Sequence, residues 1–147
     1  MSSAYQDGPD YFRTYSGLLK VVECTLTTTL IIFATLLTNT YQAQFLCGLC
    51  IYGFVSAVAL LALHIRGLVK KSEFPWFWVE FINSGLMTVL LLVASTSVAM
   101  VLTKGYIITS IVGFVAVLIY SLDSIDRFTA ARTPRARYVW TVPNATV

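Results

Sequence analysis

Charge is what this sequence has least of. Of its 147 residues, 12% are Asp, Glu, Lys or Arg, about half the share carried by a water-solvated domain. Hydrophobic residues make up 57% and aromatics 14%. Such a composition excludes a disordered chain and a soluble enzyme with a water-facing surface. Eight glycines and four prolines exclude collagenous or linker-rich material. Three cysteines (Cys24, Cys47 and Cys50) are too few and odd in number for a secreted disulfide scaffold. A single histidine, His64, with scattered thiols makes no metal site, so neither metal nor cofactor is expected. Residues 1–16 hold Asp7, Pro9, Asp10 and Arg13 and lack the apolar core of a signal peptide. The first apolar run is therefore expected to stay in the membrane.

Long apolar runs are what the sequence has instead. Four occur, at about residues 18–38, 44–65, 77–102 and 106–125. At a rise of about 1.5 Å per residue, each is long enough to cross about 30 Å of hydrocarbon. Lipid offers no partner to free backbone groups, so each run is predicted to be a helix. The β-branched stretch Thr27, Thr28, Thr29, Leu30, Ile31, Ile32 would favour a strand in water. Run length and solvent override that propensity. Connections of a few residues force neighbouring helices to be antiparallel. The expected fold is an all-α membrane protein, a four-helix antiparallel bundle over residues 18–125. Residues 1–17 form an N-terminal tail and residues 126–147 a basic C-terminal tail.

Orientation follows from the cations. Arg13, Lys20, Arg66, Lys70, Lys71, Arg127, Arg132, Arg135 and Arg137 fall on the side of both tails and the middle loop, and Lys104 alone falls on the other. The positive-inside bias makes both termini cytoplasmic. Trp76, Phe77 and Trp78 suit an interfacial belt at the inner face, and Tyr41 and Tyr106 one at the outer face. Pro75 suits a helix start.

Small residues recur at helical spacing: Gly53 with Ala57, Ser95 with Ala99, and Gly105 with Thr109 and Gly113. They let backbones approach closely, whether inside one bundle or on a face offered to a partner or a second copy. Lys20, Glu23, His64, Glu80, Asp123, Asp126 and Arg127 all fall in the cytoplasmic third of the spans. Glu23 follows Lys20 by one turn, and Asp123 precedes Arg127 by one turn, so each acid has a base at helical spacing. The expected arrangement is an ion-pair layer at the cytoplasmic face, with a partner's groove as the other use of Glu23 or Asp123. His64 is read as an interfacial residue. The central turns carry no charge, which disfavours a proton or ion pathway.

Cys47, Gly48, Leu49 and Cys50 form a CxxC near the outer end of the second span. Such a pair can perform thiol exchange. Passing electrons on requires a second pair, and Cys24 lies toward the opposite face. Packing or a local disulfide is the better reading, and Cys24 is a weak palmitoylation candidate. Arg132, Arg135 and Arg137, interleaved with Phe128, Tyr138 and Trp140, suit contact with anionic inner-leaflet lipid or simply set topology. Nucleic-acid binding is improbable for a tail so close to the bilayer. Asn144, Ala145 and Thr146 match a glycosylation sequon that stays unmodified on the cytoplasmic side.

Several segments carry a resemblance. Pro9-Asp10-Tyr11-Phe12-Arg13 followed by Leu19-Lys20-Val21 resembles the entry to the first span in the chemokine-like factor group of MARVEL-domain proteins. Leu46-Cys47-Gly48 with Tyr52-Gly53-Phe54-Val55-Ser56 resembles that group's second span. Phe81-Ile82-Asn83-Ser84-Gly85-Leu86 with Val93-Ala94-Ser95 resembles its third, and Ile111-Val112-Gly113-Phe114 its fourth. The chain lacks the long tails of larger members and the extended outer loops of claudin, occludin and synaptophysin types. The resemblance implies no catalytic residues. It implies a non-enzymatic organiser of membrane or vesicle trafficking, or a stabiliser of a partner membrane protein through lateral helix contacts. The expected partners are membrane lipids, other integral membrane proteins and a second copy of the chain. The expected location is the plasma membrane or secretory-endosomal vesicles. An accessory subunit or small channel is the alternative, and a thiol oxidoreductase using Cys47 and Cys50 a distant one.

Overall fold

A computed structural model describes residues 8–37, 40–68 and 75–132. Among them the chain forms a 3-10 turn, Pro9–Arg13, and four α-helices: α1 (Tyr15–Leu36), α2 (Tyr41–Ile65), α3 (Trp76–Ala99) and α4 (Lys104–Arg132). No strand occurs among the described residues. Each of the four helices is long and apolar enough to cross a membrane. The chain therefore fits an integral multi-pass membrane protein.

Local chemistry sets the helix ends. The Thr14 side chain accepts from Gly17 N at 3.1 Å to cap α1, and Thr40 accepts from Ala43 N at 3.3 Å to cap α2. Pro75, which lacks an N–H to orphan, stands at the start of α3. Gly67 ends α2 at φ 67°, donating back to the His64 carbonyl at 3.1 Å. A left-handed residue at this position is the ordinary glycine helix stop.

The boundaries shift from expectation by a turn at most, with one exception. Helix α4 runs to Arg132 rather than ending at residue 125. The sequence puts Asp126 and Arg127 within the bounds of the C-terminal tail as well as in the expected ion-pair layer; both are buried, as is Asp123. Lys20 pairs with Asp123, Glu80 with Arg127, and the Ser16 hydroxyl donates to Asp126, so the helix continues as packed structure. The N-terminal region is also less of a tail than expected, because Tyr11 is fully buried beneath the bundle.

The apolar core is built from Leu30, Leu46, Cys50, Met87, Leu91, Ala94, Val98, Ala116 and Tyr120. Large apolar side chains such as Ile32, Phe45, Val55, Ile82, Val89, Ile111 and Leu118 face outward. An apolar exterior around a small interior is the pattern of a lipid-solvated bundle. Helix α3 packs along α4, and α1 packs against both α2 and α4. Lys20 near the start of α1 reaches Asp123 near the end of α4, at 2.7 Å. At the opposite end Tyr106, near the start of α4, donates to the Leu37 carbonyl at 3.1 Å.

The small residues sit where elements meet. A Cβ on Gly53 would meet Met87 Cε at 2.5 Å and Tyr120 Oη at 3.1 Å, and one on Gly113 would collide with Ser95. A Cβ on Gly105 would press Leu37 at 3.1 Å. Ala57 and Thr109 are buried, and Ala99 is half-buried.

Candidate functional site

Ten polar side chains from all four helices and the N-terminal turn are buried together at one end of the bundle. Lys20 opens the network. Its Nζ donates to Glu23 Oε2 at 2.9 Å, one turn on, and to Asp123 Oδ2 at 2.7 Å across the α1–α4 interface. Both contacts are shut off from solvent, the three side chains being 0–1% exposed. Asp123 Oδ2 also accepts from Ser84 Oγ on α3 at 2.5 Å, while its Oδ1 faces Arg127 Nε at 3.3 Å. One carboxylate thus ties α1, α3 and α4.

Arg127 is the second hub. Its Nε lies 2.8 Å from Glu80 Oε2 on α3, and its Nη2 donates to Tyr11 Oη at 2.6 Å. Its Nη1 lies 3.5 Å from His64 Nε2. His64 Nε2 also meets Glu80 Oε1 at 2.6 Å, so Glu80 spans between arginine and histidine. The His64 ring is stacked on Tyr11, with centroids 4.5 Å apart and planes 1° from parallel. The backbone N–H of Gly8 donates to the His64 carbonyl at 3.1 Å, so the N-terminal turn is held from both sides. Ser16 and Asp126 form a further link between α1 and α4.

Tyr11 lies on the 3-10 turn, outside the four long helices. Burial pushes its phenol up to about 12, against the opposing pull of the Arg127 guanidinium beside it. The neutral phenol is therefore the form the site holds, as acceptor for Arg127.

A desolvated ion pair has little net advantage over well-packed apolar residues. Removing one partner is another matter, because the remaining charge is left without water or counter-ion. The network joins the start of α1 and of α3 to the ends of α2 and α4 through side-chain contacts. Two buried oxygens at its inner edge, Glu23 Oε1 and Tyr120 Oη, have no hydrogen-bond partner among the described residues.

The structure brings together every member of the expected cytoplasmic layer: Lys20, Glu23, His64, Glu80, Asp123, Asp126 and Arg127 are all buried. His64 is fully enclosed: Tyr11 covers its ring face and Glu80 engages its nitrogen. Arg127 does not open a solvated tail; it is the largest fully buried side chain. Sequence reasoning missed Tyr11, Ser16 and Ser84. Tyr11 had a signal in its position within the Pro9–Arg13 segment just ahead of α1, whereas the two serines had none.

The remaining candidates lie apart. Arg132 extends over the Phe128 ring at 4.4 Å from its centroid. Lys70, Lys71, Arg135, Arg137 and Asn144 lie outside the described residues. All three cysteines are free thiols, Cys50 buried in the core and Cys24 and Cys47 half-buried. Cys24 lies on α1, next in the chain to Glu23 of the network. Comparison of the chain with family models, curated proteins and solved structures gives no significant match.

Proposed function

We propose that this chain is a non-enzymatic, four-span membrane protein of MARVEL type, with an antiparallel bundle and both termini in the cytoplasm. It organises membrane or vesicle trafficking, or stabilises and sorts a partner membrane protein, through lateral contacts of its lipid-facing helices. The observation that carries this reading is the buried charge network. Its cations and carboxylates are engaged with one another, so the ionisable groups serve to hold a rigid bundle whose outer faces are left for contact.

The antiparallel course is supported by the two end contacts, Lys20 with Asp123 and Leu37 with Tyr106. The orientation is supported by Arg13, Lys20, Arg66, Arg127 and Arg132 at the network end against Lys104 at the other. The MARVEL assignment rests on the resemblance of the four span segments and the entry motif. Plasma membrane and secretory-endosomal vesicles are the compartments that reading implies.

Proximity labelling in the native membrane, read against an unrelated four-span control, tests the function. The proposal expects integral membrane proteins and vesicle components among the specific neighbours. The orientation is tested by epitopes at Met1 and Val147, which should be inaccessible in intact cells, and by the absence of a glycan at Asn144. The channel reading draws on the two unpartnered oxygens of Glu23 and Tyr120. Ion flux in proteoliposomes, abolished by Glu23→Gln or Asp123→Asn, would put that reading in place of the trafficking one.

A further inference from the structure

One polar cluster lies on the outside of the bundle, beside the charge network: its Asn83 is the chain neighbour of Ser84. Asn83 on α3 accepts from Tyr52 Oη on α2 at 2.9 Å through its Oδ1, and its Nδ2 donates to Ser56 Oγ at 3.4 Å. Tyr52 is half exposed, and Asn83 and Ser56 are half-buried. Tyr52 and Ser56 fall near the middle of α2, and Asn83 two turns inside α3. If the helices span the bilayer as proposed above, this cluster faces hydrocarbon.

Other outward serines and threonines in the spans, such as Thr28, Thr96 and Ser97, return their hydroxyl hydrogen to a carbonyl of their own helix. An asparagine amide has two N–H donors and a carbonyl with two lone pairs. Among the described residues, Asn83 uses one donor, in a long bond, and one lone pair, and Tyr52 Oη accepts no hydrogen bond. A spare donor and spare acceptors thus stand side by side where lipid tails satisfy neither.

We propose that this face, Tyr52 and Asn83 framed by the exposed side chains of Val55, Ile82, Leu86 and Val89, is where a second copy of this chain docks. The occupant follows from the chemistry. A donor and an acceptor on one amide are self-complementary about a twofold axis, each Asn83 offering its spare N–H to the other copy's carbonyl. The surrounding apolar side chains supply the packing that associates helices in lipid.

The test uses the full chain, tagged at Val147, in phosphatidylcholine vesicles at decreasing protein-to-lipid ratio. Single-molecule photobleaching counts the copies. The wild type should be dimeric at high density, and Asn83→Leu should shift dissociation to about tenfold higher density, the loss expected for two modest interhelical hydrogen bonds. Leu86→Trp, a bulky change on the same exposed face, should block the dimer without touching the Asn83 bonds. Thr28→Val, on the lipid face of α1, should leave it intact. A carbonate-resistant chain that stays monomeric at every density, or a dimer indifferent to both Asn83→Leu and Leu86→Trp, overturns the docking face and points the surplus groups to another membrane protein. A chain released by carbonate overturns the spanning reading as well.

Discussion

Lys20 Nζ lies 2.7 Å from Asp123 Oδ2, joining the second turn of α1 to a residue 103 positions later near the end of α4. The same ammonium holds Glu23 at 2.9 Å. Taking Lys20 away removes the cation that holds Glu23 and leaves Asp123 with Arg127 alone, in a region shut off from water. Lys20→Met should therefore destabilise the bundle by about 3–5 kcal/mol. Combining it with Glu23→Gln and Asp123→Asn should cost much less than the sum of the separate changes, because the triple variant buries no unpaired charge. Thermal melting in detergent, arranged as a mutant cycle, measures the difference. Additive losses would show that the three groups do not act as a unit.

Arg127 and Arg132 are five residues apart on α4 and should behave oppositely. The first is enclosed by Glu80, Asp123, His64 and Tyr11, and the second is exposed above Phe128. Arg127→Ala takes the guanidinium from Glu80 and Asp123 and leaves Tyr11 without its donor. It should lower the steady-state level of the protein and retain it in the endoplasmic reticulum. Arg132→Ala removes one surface cation and a ring contact worth about 0.5–1 kcal/mol. Its level and localisation should match the wild type, with only vesicle binding weakened. Equal behaviour of the two variants would mean that Arg127 reaches water after all.

How legible was this network before the structure? The four helices were readable from hydropathy, because length and apolar content decide what crosses hydrocarbon. The charged members were readable from spacing, since Lys20 with Glu23 and Asp123 with Arg127 are helical neighbours. What spacing does not carry is contact between helices. Whether Asp126 and Arg127 meet water or protein depends on Ser16, Tyr11 and Glu80, residues far away in the chain. Spacing alone therefore places the end of α4 too early. Tyr11 lies in a short polar segment, so its burial depended on an aromatic neighbour, His64, that no periodicity announced.

Gly17 tests how tightly the N-terminal turn is docked. A Cβ there would collide with the backbone carbonyl of Tyr11. Backbone cannot swing aside as a side chain does, so Gly17→Ala should push the turn away and expose Tyr11. Gly48 is the control, because a Cβ there meets nothing within 4 Å. Gly48→Ala should be neutral or slightly stabilising, as expected for glycine replaced in a helix. Limited proteolysis of residues ahead of α1 reads the outcome. Equal protection in both variants would show the turn to be held elsewhere.

The clearest pH signature should come from Tyr11. Its Oη accepts from Arg127 Nη2 at 2.6 Å, and Tyr11→Phe keeps the ring on His64 while deleting the acceptor. Leaving a buried guanidinium N–H unsatisfied costs about 1–3 kcal/mol, so the variant should melt lower at neutral pH. Burial pushes the phenol up to about 12 in the folded protein, against the ordinary 10.0 of an unfolded chain. Because the folded form holds its proton more tightly, this contribution is complete below about pH 10 and is lost as pH rises toward about 12. Other groups titrate in that range too, so the informative quantity is the gap between wild type and Tyr11→Phe. That gap should stay constant up to about pH 10 and shrink steadily above it, in reconstituted vesicles or detergent. A gap that widens with alkali would mean the phenolate is the favoured partner of Arg127. The attraction between those two groups would then outweigh burial at the centre of the network.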